Sequence, residues 1–256
     1  MKILAVGDIV GSIGLKKLKE VLPMLKKENN IDFVIVNGEN VAGGMGITEK
    51  DFNAILGAGA NVVTLGNHTW AKKDVFSFID NERLIRPANY PKGVPGNGYG
   101  IYNCNDKKIA VISLMGRTNI NILTENPFLE VDNIIEKIKN EVDYIVVDFH
   151  AEATAEKIAM GHYLDGRINI LFGTHTHTQT ADEMILPKGT AYITDIGMTG
   201  PKNSVIGMDI EASLKRFITT LPERYKLAEG EAVFNGCIFD INENKSRIEK
   251  INRINL

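Results

Sequence analysis

The sequence predicts an α/β fold built on a layered sheet covered on both faces. Two patterns predict it. Short apolar runs alternate with stretches of helical spacing through the first half of the chain, and those runs are apolar at every position instead of every second one. Strands of that kind sit in a sheet buried on both sides. At 256 residues, 44% hydrophobic and 24% charged, the chain is long enough to bury a sizeable core. It shows no repeat, low-complexity tract or linker, so one domain over residues 1–256 is expected.

Along the chain, residues 2–6 form the first expected strand. Residues 14–29 place Leu15, Leu18, Val21, Leu22 and Leu25 at helical spacing. A second strand covers 33–36. Thr48 opens a helix with Asp51 at the capping-box position, and the glycines at 57 and 59 end it. Residues 62–65 give a third strand. The stretch 87–100, rich in Pro, Gly and Asn, is expected to be a long loop. Residues 101–104 and 108–114 flank Asn105-Asp106 as a hairpin. A helix at 133–139 follows, then strands at 144–149, 168–172, 183–186 and 191–194. A helix over 207–221 is expected to pack its apolar side inward, and 233–241 with 246–251 close the chain as a hairpin.

Composition removes several function classes. The net charge is −3, and the lysines at 16–19 and 26–27 lie in a helical pattern, as on a solvated face. Duplex nucleic acid, which is gripped by neutralising phosphates on a basic surface, is therefore not the expected partner. Two distant cysteines, Cys104 and Cys237, exclude a disulfide framework and a structural zinc cage. The first apolar run is too short for a signal-peptide core, and no run reaches the roughly eighteen residues of a membrane span. A cytoplasmic protein without a membrane partner is expected.

Five polar clusters fall at the carboxyl ends of expected strands: Gly7-Asp8, Gly38-Glu39-Asn40, Gly66-Asn67-His68, Phe149-His150 and Gly173-Thr174-His175-Thr176-His177. Loops from neighbouring strands converge at such ends, so the clusters point to one crevice. Taken singly, Asp8 also fits a helix cap, Glu39-Asn40 a turn, and Asn67-His68 a capped helix start. His150 closing a buried strand fits packing poorly. His175 and His177, two residues apart, share a face if the chain there is extended. Four of the five histidines lie in these clusters, and His162 is left as a structural or surface residue. Imidazole mixed with oxygen donors and no thiolate suits Mn, Fe or Zn. Asp8, Glu39, Asn40, Asn67, His150, His175 and His177 are too many ligands for one ion. Two divalent ions sharing a carboxylate, roughly 3.5–4 Å apart, use them all and serve phosphoryl displacement.

The order of these motifs resembles the calcineurin-like metallophosphoesterases, through Gly66-Asn67-His68 and Gly173-x-His175-x-His177. It departs from their common form at Asp8-Ile9-Val10, where the usual Asp-x-His lacks its histidine, and at Glu39-Asn40, where a bridging Asp is usual. The departures resemble the YmdB-like branch, as do Asn37 to Gly44, Gly66 to Trp70, and Asp195-Ile196-Gly197-Met198-Thr199-Gly200-Pro201. The resemblance covers essentially the whole chain. It implies a four-layer α/β/β/α sandwich, with Asp8, Glu39, Asn40 and His177 on one metal and Glu39, Asn67, His150 and His175 on the other. It implies His68 beside them as the acid for the leaving oxygen or as a phosphate clamp. Fe or Mn are the expected metals, with Zn or Mg as alternatives. The implied function is hydrolysis of a small cyclic nucleotide such as 2′,3′-cAMP or 3′,5′-cAMP by a hydroxide shared between the metals. A phosphomonoesterase or nucleotidase, and a nucleotide-sensing regulator with little turnover, remain the alternatives. Arg117, Thr199 and Gly200 are further expected substrate contacts, and a homo-oligomer is compatible with the sequence.

Overall fold

The computed structural model describes residues 1–245 and 247–256. Along the chain run β1 (Lys2–Val6), β2 (Asp8–Ile9), α1 (Gly11–Asn29), β3 (Phe33–Asn37), α2 (Glu49–Gly57), β4 (Val62–Thr64), β5 (Leu84–Ile85), β6 (Tyr99–Cys104), β7 (Lys107–Met115) and α3 (Pro127–Ile138). There follow β8 (Tyr144–His150), α4 (Thr154–Leu164), β9 (Ile170–Thr174), β10 (Met184–Ile185), β11 (Ala191–Ile193), β12 (Met198–Pro201), α5 (Ile210–Thr219), β13 (Ala232–Val233), β14 (Asn235–Asn242) and β15 (Arg247–Asn255). One sheet has the order β15-β14-β1-β3-β4-β5 and a second β10-β11-β9-β8-β7-β6.

The apolar runs explain why these sheets stack. In β1, Ile3 and Ala5 join Phe33, Ile35, Val62, Val111, Val146 and Phe172 in a core between the sheets. Leu4 and Val6 face the other way, onto Leu18 and Leu22 of α1 and Phe52 and Ile55 of α2. The second sheet repeats the scheme: Ala110, Ile112, Ile145 and Val147 pack under Val131, Ile134 and Ile135 of α3 and Met160 and Leu164 of α4. Helix, sheet, sheet and helix make the four-layer α/β/β/α sandwich. Strands β1, β3 and β4 run parallel in one sheet, and β7, β8 and β9 in the other. Their carboxyl ends therefore open at a common edge.

Local chemistry sets most boundaries. Thr48 caps α2 by accepting from the Asp51 amide, as its sequence position predicts. Helix α3 begins six residues before its expected start, because Asn126 caps it and Pro127 fits the first turn. Within the stretch expected to be loop, β6 begins at Tyr99. Asn105, at φ 55°, makes the turn between β6 and β7. The closing hairpin is β14 with β15, and Ser246, included in the expected second strand, lies outside the described residues. The lysines at 16–19 and 26–27 are exposed or half-buried on α1.

The expectation for 207–221 is corrected. Helix α5 buries only Ser213, while Ile210, Leu214, Phe217, Ile218 and Leu221 are exposed by 45% to 78%. The helix rides on an excursion between β12 and β13, which pair with each other at Gly200–Val233 and Pro201–Ala232, and it does not connect strands of either six-stranded sheet. No described helix is long and apolar enough to cross a membrane.

Candidate metal centre

Strand ends deliver the expected ligands. Asp8 is buried in β2, which pairs with β12 through Asp8–Met198 and Ile9–Thr199. Glu39 and Asn40 leave the end of β3, Asn67 and His68 follow β4, His150 is the last residue of β8, and His175 and His177 follow β9. Gly66 is required at its place: a Cβ there would stand 2.3 Å from His150 Cδ2. The missing side chain lets the Asn67–His68 loop lie directly on the His150 ring.

The atoms around His150 Nε2 carry the strongest evidence for a cation. Glu39 Oε1 is 2.9 Å away, Asn67 Oδ1 2.8 Å and His175 Nδ1 3.0 Å. One ring nitrogen can satisfy at most one of these as a donor. The other ring nitrogens make the conflict sharper. His150 Nδ1 meets Thr174 Oγ1 at 2.9 Å, and that hydroxyl donates to Asp148 Oδ1 at 2.7 Å, so it must accept from the ring. His175 Nε2 lies 2.9 Å from Glu152 Oε2, and His177 Nδ1 lies 2.8 Å from the Ile206 carbonyl oxygen. All three outward nitrogens thus carry protons, which leaves the inward lone pairs free for a metal. Two such lone pairs, on His150 Nε2 and His175 Nδ1, face each other with a carboxylate and an amide oxygen. A cation between them resolves the repulsion. Ligand atoms about 3 Å apart also match the edge of an octahedron with bonds of about 2.1 Å.

A second convergence lies beside it. Asp8 Oδ1 has no hydrogen-bond partner among the described residues, although Asp8 is fully buried. His177 Nε2 stands 3.9 Å from that oxygen and 3.1 Å from the Asn40 amide, which also meets Glu39 Oε1 at 3.4 Å. The Asn40 nitrogen faces the other groups, and half a turn of the amide brings its oxygen to the same point. The donor set therefore fits two cations sharing Glu39.

The electrostatics of the cluster call for positive charge. Burial alone would raise Glu39, but the charge and hydrogen bond of His150 hold it down at about 2. Burial alone would lower His150, but Glu39 beside it lifts it to about 9. Burial and the neighbouring His150 push His175 down to about 3. Asp8 is raised to about 6, chiefly by burial. Glu39 and His150 thus favour each other's charged forms, and a metal bound on the inward nitrogen would replace a proton there.

His68 donates its backbone N–H to Glu39 Oε2 at 2.9 Å and lines the cleft above the cluster; burial holds its imidazole below the ordinary value. The cleft, about 370 Å³, is lined by Glu39, Asn40, Gly44, His68, Glu152, His175, Thr176, His177, Ile206, Met208 and Tyr225.

Three expected substrate contacts lie elsewhere. Thr199 is buried in β12 with its hydroxyl on Asn235, and Gly200 packs against Val10, so neither reaches the cleft. Arg117 is exposed, with its backbone N–H bound to the Glu156 carboxylate. His162 is exposed on α4. The shared direction of His175 and His177 has a different origin from the extended chain expected. Strand β9 stops at Thr174, and both histidines adopt left-handed backbone, with φ 97° and 62°. Such strain gathers at functional sites, where surrounding contacts enforce it.

Sequence reasoning passed over the residues behind the ligands. Asp148, buried where the sheets meet, accepts from Thr174, from Thr64 at 2.5 Å and from Asn37 at 3.3 Å. The signal that could have found it is a single acid inside the otherwise apolar run of β8, where burial on both faces demands a partner for it. Glu152, just beyond His150, orients His175. Replacing Glu152 by Gln is expected to lower metal affinity by roughly 10–100-fold, the usual cost of a lost ligand-orienting partner. Calorimetric titration of Mn into the stripped protein reads it, and unchanged affinity would remove Glu152 from that role.

Residues 4–254 match the model of the YmdB-like protein family. The chain belongs to that family. It is 50% identical over 255 residues to the 2′,3′-cyclic-nucleotide 2′-phosphodiesterase of Bacillus subtilis, covering 99% of this chain and 96% of the relative. A crystal structure of a novel phosphatase from Mycoplasma pneumoniae superposes with a TM-score of 0.95 at 37% identity, covering 100% and 93% of the two chains. The NAD nucleotidase of Haemophilus influenzae, at a TM-score of 0.60 and 14% identity, covers 100% of this chain and 55% of its own, a likeness of fold alone. Membership of that family and the likeness to these close relatives make this YmdB-like chain a metal-dependent phosphoesterase.

Proposed function

We propose that this YmdB-like chain hydrolyses small cyclic nucleotides, with 2′,3′-cyclic nucleotides foremost, using two divalent ions held by Asp8, Glu39, Asn40, Asn67, His150, His175 and His177. The convergence of Glu39, Asn67 and His175 on His150 Nε2 at 2.8–3.0 Å, under an open cleft, carries the reading. The named activity of the Bacillus subtilis relative supports the substrate class. Oxygen donors from Asn40 and two carboxylates, with His177 as the one imidazole, favour Fe or Mn over Zn at the ion beside Asp8.

When bound, the ions supply charge for the phosphoryl oxygens and bring water within reach of ionisation near neutral pH. The protein's own groups do the rest. Glu39 and Asp8, buried and lacking competing solvent, anchor the cluster. The Asp148–Thr174 pair and the Ile206 carbonyl fix the tautomers of His150 and His177. His68, lining the cleft above the cluster, can present an N–H to the ester oxygen that leaves.

The test is Mn-supplemented hydrolysis of 2′,3′-cAMP and 3′,5′-cAMP, with Asp8→Ala as the control. Turnover by the wild type that vanishes in the control is the expected result. His68→Ala is expected to keep its metal and lose roughly 10²–10⁴-fold in turnover, the range of a general acid. An unchanged rate would take His68 out of the chemistry, and no wild-type turnover of either ester would sink the phosphodiesterase reading.

A further inference from the structure

The floor of the cleft is accounted for by the metal ligands, but one of its walls is not. Ile206, Met208 and Tyr225 all come from the excursion between β12 and β13. That wall is built into the site. The Ile206 carbonyl accepts a hydrogen bond from Nδ1 of the proposed ligand His177 at 2.8 Å. Bridges join Val205 to Met208 and Met208 to Leu227, and the Asp209 amide donates to the Lys226 carbonyl at 2.9 Å. Tyr225 is thereby held beside Met208, half-buried, facing the loop that carries Asn40. Gly44 makes room for it: a Cβ at that position would stand 2.5 Å from Tyr225 Cε1 and 2.8 Å from its hydroxyl oxygen.

We propose that Tyr225 is the stacking platform for the nucleobase of the substrate, with Met208 and Ile206 completing an apolar wall. The inference rests on the phosphodiesterase reading and adds a specificity-determining residue to it. An aromatic face beside a thioether and an aliphatic chain suits the flat face of a base. The wall's only strong polar group is the Tyr225 hydroxyl, so it grips a π-surface without reading the hydrogen-bonding edge that separates one base from another. A cleft of about 370 Å³ also has room for a mononucleotide beside the metal floor. The wall therefore separates esters that carry a base from esters that do not, and discriminates little among bases.

The experiment compares steady-state kinetics of Mn-loaded wild type, Tyr225→Ala and Tyr225→Phe on 2′,3′-cAMP, 2′,3′-cCMP and methyl riboside 2,3-cyclic phosphate, which has the ester but no base. Tyr225→Ala is expected to raise KM for both nucleotides about tenfold, in the range of base–aromatic stacking, with kcat held. KM for the baseless ester stays within twofold, and Tyr225→Phe behaves as wild type. Calorimetry repeats the contrast: 3′-AMP binds wild type more tightly than ribose 3-phosphate does, and Tyr225→Ala erases the difference. Unchanged nucleotide KM in Tyr225→Ala, or an equal loss on the baseless ester, would overturn the platform while leaving the phosphodiesterase reading intact. Wild type inert on every ester would overturn both.

Discussion

Glu39→Ala is expected to abolish turnover, falling by more than about 10³-fold, beyond the cost of one lost electrostatic contact. Glu39 is the carboxylate that both halves of the proposed centre share. Oε1 meets His150 Nε2 at 2.9 Å and the Asn40 amide at 3.4 Å, while Oε2 takes the His68 amide at 2.9 Å. Asp8 is the other acid among the seven proposed ligands, so the substitution halves their negative charge. Elemental analysis of the variant should find one metal or fewer per chain. The fold should survive, because Asp8 and Asp148 still act on His150 once Glu39 is gone, so its charge is not left without a counter-charge. Glu39→Asp keeps the charge one methylene too short and should recover part of the metal. A Glu39→Ala protein with two metals and a tenth of wild-type turnover would refute the shared-carboxylate arrangement.

Much of this was legible from residue order. Runs such as Ile3-Leu4-Ala5-Val6 are apolar at consecutive positions because the two faces of β1 meet different cores, and that pattern announces a covered sheet. The polar clusters were visible because each interrupts such a run at its carboxyl end. What stayed hidden had no periodic signature. Helix α4 buries Lys157, Met160, Gly161 and Leu164, a face on which two of the four are not apolar side chains. Thr199 and Gly200 read as a pocket loop by composition, yet β12 is buried by pairing with β2, a contact between segments nearly two hundred residues apart. Helix α5 has a sound amphipathic pattern, and sequence cannot say whether such a face meets a core or lies on an excursion. The two histidines after Gly173 were found for a reason that does not hold, since their common direction comes from left-handed turns.

Those turns need an anchor, and it lies under them. Asp195 Oδ2 accepts from the Thr176 amide at 3.1 Å, from the Thr176 hydroxyl at 2.7 Å and from Lys157 Nζ at 2.7 Å, while Oδ1 accepts from the Gly197 amide at 2.8 Å. Thr176 sits between the two histidines, so this carboxylate fixes the loop that carries both. Lys157 and Asp195 are almost fully buried. Asp195→Ala should therefore cost about 3–5 kcal/mol of stability, the penalty for stranding one partner of a buried ion pair. It should also weaken metal binding by loosening Thr176. The two effects separate in the double variant Lys157→Met, Asp195→Ala. With no charge left to strand, the double variant should recover much of the stability in urea unfolding of the metal-free protein. Its metal affinity should remain low, because Thr176 still lacks its acceptor. Recovery of affinity together with stability would mean that Asp195 acts only through Lys157, and that the histidine loop is held from elsewhere.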